Sequence, residues 1–333
     1  MLNNYCIRTD NLKNKNNFLT IMLAEIVLAA IIGTSPVNST NTDSLKQDTS
    51  AVAKTFKSEM TLQDAIDINL EELTERLESD GYRIDTLVAD SRFKVYTRIL
   101  KTFRTAKEKK ADEREDAAAD TLSKEEAEIR AYDYYKRGRM PYLKRKVTEF
   151  IKNNYETFKA AEQEHEICMT SIASIIGIET NFGNTLGTKN PFNATVSLYI
   201  FNENKKVPYD RITDLLTWTR KYDIDVLGLE SSFAGAMGPM QFMPHNLYKF
   251  KVEDPYDMDT AIFKVGEYLA FYKRRSASEE EWIRKYNNHK FYYKMWKELK
   301  EFADEKLPEL EKNINNRTSI EYHENNTDRA WGF

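Results

Sequence analysis

The sequence predicts a mainly α-helical, all-α protein, and three observations carry that prediction. Glycine and proline are scarce, 11 and 8 in 333 residues, too few turn formers for a strand-rich chain. Apolar residues recur at intervals of three and four, the spacing that gives a helix one buried face. No convincing run alternates apolar and polar residues as a half-buried strand would, and no internal repeat is found. With 41% hydrophobic residues the chain can build a real core, which excludes disorder throughout. The net charge is −4 with acids and bases interspersed, so no basic field argues for nucleic acid and no polybasic patch for a membrane surface.

The elements follow in chain order. Lys13 and Lys15 precede an apolar run from Phe18 to Ile32, and Gly33-Thr34-Ser35 offers small residues for cleavage, the layout of an export signal. The run is short for a membrane span. Glu25 in its middle and the long segment before it leave a second reading open, a buried or fortuitous apolar helix. On the first reading residues 1–35 are a signal peptide, or an anchor held in a membrane through residues 18–32. No cysteine follows the run, so a lipoprotein is not expected. Cys6 lies inside this segment and Cys168 in a later apolar run; after processing one would remain, which excludes an intrachain disulfide. Residues 36–55 are Ser/Thr/Asn/Asp-rich and read as a linker.

From residue 56 to 139 the sequence reads as a helical N-terminal region. Thr61-Leu62-Gln63-Asp64 forms a capping box with Asp in place of Glu, and Leu62, Ile66, Leu70, Leu73 and Leu77 repeat on one face of a helix that ends near Gly81. A second helical pattern runs from about Asp85 into the mixed-charge stretch Arg104 to Asp116. Leu143, Val147, Phe150, Ile151, Phe158 and Ala161 predict one long helix begun by Pro141. Ile167 to Ile178 is apolar nearly all round, as a central buried helix should be. Further on, helices are predicted over Pro244–Lys251, Asp259–Tyr272, Glu279–Tyr286 and Phe291–Phe302. Gly266 would let the second of these pack closely, and Trp282 and Trp296 read as core anchors or as sugar platforms. Residues 313–333 are a polar, Asn-rich, mobile tail.

Two stretches carry the chemistry. Six of the 11 glycines, Gly177, Gly183, Gly187, Gly228, Gly235 and Gly238, fall between the start of the first and the middle of the second, so close backbone approach is concentrated there. The first stretch is Ile175-Ile176-Gly177-Ile178-Glu179-Thr180-Asn181-Phe182-Gly183. A carboxyl at the exit of a buried helix is partly desolvated, which raises its pKa and suits it to general acid work; the alternative is a glutamate that caps or pairs at a helix end. The second is Glu230-Ser231-Ser232-Phe233-Ala234-Gly235-Ala236-Met237-Gly238-Pro239-Met240-Gln241-Phe242-Met243-Pro244. Its glycines leave the backbone open to a bulky ligand, to which Gln241 could offer an amide.

Together these stretches resemble the lytic murein transglycosylase B family, enzymes that cut the glycan of bacterial cell walls. The resemblance covers residues 140 to 300 well, and 56 to 139 faintly through Asp80-Gly81-Tyr82 and Asp90-Ser91-Arg92-Phe93. It implies a lysozyme-like helical catalytic domain over residues 140–312 with a helical N-terminal extension, and Glu179 as the single general acid/base. Thr180 and Gly183 complete its motif, with Gly235 and Gly238 supporting the second. Ser232 matches a serine near the reacting sugar; Met237, Gln241 and Phe242 match the cleft wall that contacts the glycan; Tyr286-Asn287 matches a Tyr-Asn pair of the wider goose-lysozyme-like fold. Satisfied loop polar groups remain the alternative for Ser232 and Gln241, and chance in a Lys/Asn-rich chain for Tyr286 and Asn287. Peptidoglycan glycan strands are the implied partner, the periplasm the implied place, with or without a tether to the inner membrane.

The chain also departs from the family. The calcium-binding acidic loop found in many members is replaced by the shorter, glycine-free Val252–Asp259, without EF-hand spacing, and the four histidines show no ligand spacing with the cysteines. No metal and no cofactor is therefore expected. A basic pair is matched only loosely by Lys205-Lys206, and Lys189 to Val207 is expected to be a glycan-lining loop. Ordinary glycosidases use two carboxylates. The motifs here hold Glu179 and Glu230, and the resembled family has no acidic role at the second, so an internal nucleophile, the muramoyl C6 hydroxyl, is the economical mechanism. A water-using muramidase and a silent glycan-binding scaffold are the alternatives.

Overall fold

The computed structural model describes residues 61–97, 124–202 and 204–327. The expected signal segment and linker (1–55), the mixed-charge stretch 104–116 and the last residues of the tail lie outside them. No strand forms among the described residues, where the only β pairings are two isolated bridges. The described chain falls into two compact units, one from 124–187 and 236–327, the other from 61–97 and 188–235. The units interleave along the sequence, whereas the sequence reading divides it linearly near residue 140.

The first unit is built from α3 (Lys124–Gly138), α4 (Met140–Asn153), α5 (Tyr155–His165), α6 (Met169–Thr180), α9 (Pro244–Lys249), α10 (Met258–Lys273), α11 (Glu279–Arg284) and α12 (Tyr292–Thr327). Helix α6 is the axis of its core, with α4, α5, α10 and α12 packed against it. Eleven of its twelve residues are buried, which an apolar sequence with small polar residues permits only if each hydroxyl finds a partner. The Thr170 hydroxyl donates to Asp304 Oδ1 (2.6 Å) and that of Ser174 to the Thr170 carbonyl (2.7 Å). The Ser171 carbonyl accepts a bond from Trp296 Nε1 at 3.2 Å. Trp296 is fully buried and meets Trp282 edge-on, so both tryptophans are core anchors. Gly266 of α10 does permit close packing, since a Cβ there would lie 2.8 Å from the His165 ring and 3.2 Å from Ile172.

The second unit holds α1 (Leu62–Ser79), α2 (Asp85–Ala89), α7 (Pro191–Phe201), α8 (Lys206–Tyr222) and a 3-10 turn at Val226–Gly228. Helix α1 has the expected capping box, with Asp64 N–H donating to Thr61 Oγ1 and Thr61 N–H to Asp64 Oδ2. Its Ile66, Leu73 and Leu77 are buried, while Leu62 is half exposed. Polar pairs fix this seam: Tyr199 Oη donates to Glu72 (3.0 Å), Tyr209 Oη to Asp80, and Tyr82 and Thr217 share a bond. The Arg92 carbonyl accepts from Asn193 Nδ2 (2.9 Å), and Ser197 Oγ accepts from Tyr96 N–H (2.8 Å). The two faintly family-like segments therefore hold α7 and α8 in place.

Four expectations need correction. The predicted loop 189–207 is mostly helix α7, because Asn190 caps it by accepting from Asn193 N–H, Pro191 starts it, and its residues are apolar on every side. The long helix from Pro141 is two helices, since Asn154 (φ −123°) leaves helical geometry and turns its amide back onto the Phe150 carbonyl. The helix from Asp85 stops at Ala89, where Asp90 folds its side chain onto Arg92 N–H in an Asx turn. Polarity of the tail did not end α12, which continues past residue 313 to Thr327 even with Pro308 inside it. Replacing Trp296 with Ala removes a fully buried ring bonded to the α6 backbone and should lower unfolding free energy by about 3–5 kcal/mol, measured by denaturant titration.

Candidate active site

The C-terminal turn of α6 carries one carboxyl out of the core. Glu179 is the one residue of that helix that is half-buried rather than buried. The helix stops just after it because Asn181 and Phe182 adopt left-handed geometry (φ 56° and 59°), their N–H groups donating to the Gly177 and Ile176 carbonyls. Phe182 then lies over Gly177, where a Cβ would come within 2.6 Å of its ring. Thr180 closes the motif: its hydroxyl accepts from Gly183 N–H (3.0 Å) and shares its own proton between the carbonyls of Ile176 (3.1 Å) and Pro239 (3.0 Å). One buried hydroxyl thus ties the first motif to the second.

In the second motif Met237 and Phe242 exchange both backbone bonds (2.9 and 3.1 Å) around a tight turn. Gly238 sits in it at φ 71°, and a Cβ there would lie 1.7 Å from the Pro255 carbonyl oxygen. Segment 252–259, which stands where a calcium loop was considered, therefore braces the turn by backbone contact. Its aspartates serve separate tasks: Asp254 accepts from Tyr256 N–H, Asp257 caps α10 at Thr260 N–H, and Asp259 accepts from Thr157. Among the described residues no three His, Cys, Asp or Glu side chains could together hold a metal ion.

Tyrosines surround the carboxyl. Tyr292 of α12, buried, donates its hydroxyl to Glu179 Oε1 at 2.7 Å. Tyr286 donates to the Met240 carbonyl, and its ring lies parallel to that of Tyr292 (3°, centroids 6.5 Å apart) and edge-on to Tyr268 at 4.8 Å. The buried Tyr135 hydroxyl has no hydrogen-bond partner among the described residues. Burial pushes Glu179 up to about 7, with the Tyr292 bond pulling weakly the other way. Tyr286 and Tyr292 are pushed well above the ordinary phenol range by burial and then by the Glu179 charge, and Tyr135 is raised by burial first. All three remain hydroxyl donors beside a carboxyl that is half protonated near neutrality.

The structure thus brings Glu179, Thr180, Gly183, Met237, Gly238, Gln241, Phe242 and Tyr286 into one unit. Ser232 and Gly235 belong to the other, where Gly235 N–H donates to the Ser232 carbonyl (3.0 Å). Met237 and Phe242, expected to line a cleft wall, are 0% and 1% exposed; they shape the site from beneath, Phe242 packing on Phe250, Tyr268 and Tyr286. Gln241 gives its amide hydrogens to the Gly238 (3.0 Å) and Leu186 (3.3 Å) carbonyls, so what it can offer a ligand is its oxygen. Asn287 accepts from His289 N–H in a local turn. Sequence reasoning missed Tyr292, Tyr268 and Tyr135, which carry no motif in a chain with 19 tyrosines.

Comparison with known proteins identifies the family and the fold. A family model described as the transglycosylase SLT domain matches residues 71–270, more than half of the chain. The chain belongs to that family. It is 34% identical over 104 residues to the membrane-bound lytic murein transglycosylase B of Escherichia coli (strain K12), a match covering 30% of this chain and 28% of that protein's length. Among solved structures, the E. coli lytic transglycosylase SLT35 in complex with calcium superposes with a TM-score of 0.53 at 18% identity, covering 71% of this chain and 92% of that one. Catenated SltB1 from Pseudomonas aeruginosa gives 0.55 at 18%, over 74% and 98%. SltB3 from the same organism, in complex with NAG-anhNAM-pentapeptide, gives 0.50 at 14%, over 62% and 52%. The fold is that of the lysozyme-like lytic transglycosylases.

Two outcomes are expected. Because Glu179 holds its proton up to about pH 7 when folded but only to its ordinary range near 4.5 when unfolded, stability falls as pH rises between those values and levels off above 7, by about 3 kcal/mol. Glu179→Gln should therefore raise the melting temperature at pH 8 and leave it nearly unchanged at pH 4, by calorimetry. Gly238→Ala should lower unfolding free energy by about 2 kcal/mol or more at either pH, since both φ and the Pro255 contact oppose a Cβ.

Proposed function

We propose that this chain is a lytic transglycosylase that cleaves the MurNAc-GlcNAc β-1,4 bond of peptidoglycan and leaves 1,6-anhydromuramoyl ends. The observation that carries the reading is a single carboxyl, Glu179, with its pKa near 7, placed by the family motif at the end of a buried helix. In its protonated form Glu179 donates to the glycosidic oxygen as the C1–O bond breaks. The resulting carboxylate then takes the proton of the muramoyl C6 hydroxyl while that oxygen bonds to C1 and closes the anhydro ring. One residue near its own half-titration point suits both steps. Burial raises Glu179 and the Tyr292 hydroxyl opposes it; with one carboxyl in the acid's role, an internal nucleophile is the economical mechanism. An anhydromuramoyl compound is what the SltB3 structure holds.

Tyr292 orients the Glu179 carboxyl, and the Gln241 oxygen supplies a polar contact to the sugar as oxocarbenium character develops. Thr180, Gly183, Gly235 and Gly238 hold the backbone of the two motifs, and Tyr286 and Asn287 their flank. Residues 140–312 form the catalytic region and 56–139 its extension. Residues 1–35 export the chain to the periplasm or tether it there, and no helix among the described residues is long and apolar enough to cross a membrane. The curated relative, of whose length this chain spans about a quarter, is named as membrane-bound.

Purified peptidoglycan digested with the full chain should release products that mass spectrometry identifies as anhydromuramoyl, and Glu179→Gln should reduce their rate by at least about 10³-fold. Products heavier by one water would replace the reading with a hydrolytic muramidase. Since the acid form of Glu179 starts the reaction, kcat/KM should fall about tenfold per pH unit above pH 7; an unchanged rate up to pH 9 would remove Glu179 as the acid.

A further inference from the structure

A basic, aromatic surface is assembled from two segments that are unremarkable when read separately. Residues 248–251 (Tyr-Lys-Phe-Lys) and 271–275 (Phe-Tyr-Lys-Arg-Arg) contain five cations and no acid in a chain of net charge −4. They meet where α9 and α10 both end, so two helix C-termini partly offset the positive charge. Lys249 Nζ lies 3.9 Å from the ring centre of Phe271 and near those of Phe250 (5.1 Å) and Tyr272 (5.2 Å). The Arg275 guanidinium lies 3.7 Å from the centre of the same Phe271 ring and donates to the Phe271 carbonyl at 2.8 Å. Tyr248 is 44% exposed beside them.

Two features make this more than a solvated face. Lys249 and Arg275 are held against one ring, and neither has a carboxylate within ion-pair distance among the described residues; Glu267, one turn from Phe271, is bound to Lys264. Two like charges pinned together without a counter-charge repel, and a bound anion relieves that repulsion. The cluster is also continuous with the Glu179 surroundings: Tyr292, Tyr286, Tyr268, Tyr272 and Phe271 touch in succession, each centroid 4.7 to 6.5 Å from the next. The rings that enclose the carboxyl thus continue, within one unit, to the ring that carries the two cations.

We propose that Lys249 and Arg275, with Phe271 and Tyr272 as floor, form a subsite for the carboxylates of the stem peptides borne by the glycan, so that the protein favours peptide-bearing over bare strands. This rests on the transglycosylase reading and names a specificity for it. Anionic carboxylates fit the charge, and the aromatic faces fit the short aliphatic side chains next to them.

The test measures binding of the full chain, in the Glu179→Gln background, to insoluble peptidoglycan with its stem peptides, to the same glycan stripped of peptides by an amidase, and to phosphatidylglycerol vesicles. Lys249→Gln with Arg275→Gln should weaken binding to the peptide-bearing polymer roughly three- to tenfold, leave the stripped glycan unaffected, and retain the parent melting temperature. The weakening should shrink as salt rises. Equal loss on both glycans, or no loss on either, would overturn the subsite. Vesicle binding that disappears with the two charges would overturn it in favour of an acidic lipid surface. The transglycosylase reading fails separately, if the unmutated chain releases no anhydromuramoyl product from either polymer.

Discussion

The structure depends on shielding one carboxyl from bulk water. Helix α6 is buried along its length, with only Glu179 half-buried at its end, and desolvation there outweighs the hydrogen bond from Tyr292. A carboxylate fully exposed to solvent would titrate near 4 and deliver no proton at neutrality. Much of the surrounding architecture follows from that requirement: an apolar helix whose hydroxyls are all satisfied, a left-handed stop two residues past the acid, and aromatic rings in place of charged partners. A lysine or arginine at the position of Tyr292 would pull the carboxyl's pKa back down. A phenol holds the carboxyl in place without doing so to the same extent.

The second motif serves the first by shape more than by contact. Thr180 reaches the Pro239 carbonyl, Tyr286 reaches the Met240 carbonyl, and Gly238 lets the Pro255 carbonyl come into van der Waals contact with the turn. Backbone groups of the turn are thereby anchored from three directions, so its position relative to the acid does not rely on flexible side chains. Met237 and Phe242 fill the space below it. Segment 252–259 braces the turn by direct packing at Gly238, and its aspartates cap a helix, fix one turn and tie α10 to α5.

What was legible in the sequence was what local chemistry encodes. The Thr61 capping box, the nearly all-round apolar α6 and the partly desolvated Glu179 could each be read from a dozen residues. Helix α7 could not be placed from its own residues, since an apolar stretch opened by Asn190-Pro191 and rich in Asn and Thr reads as loop until its burial on all sides is known. The break at Asn154 depends on one φ angle that the uninterrupted apolar pattern conceals. Tyr292, Tyr268 and Tyr135 reach the site through tertiary packing, and nothing distinguishes them among many tyrosines. The interleaving of the two units is likewise invisible to any argument that proceeds by linear segments.

The bond between Tyr292 and Glu179 joins residues 113 positions apart in the chain. During synthesis the acid therefore emerges well before the helix that covers and orients it, by an interval on the order of ten seconds at ordinary translation speeds. Until α12 docks, Glu179 lacks both the hydroxyl that holds it and the cover that this helix supplies. The last described helix of the chain is thus the one that completes the surroundings of its acid.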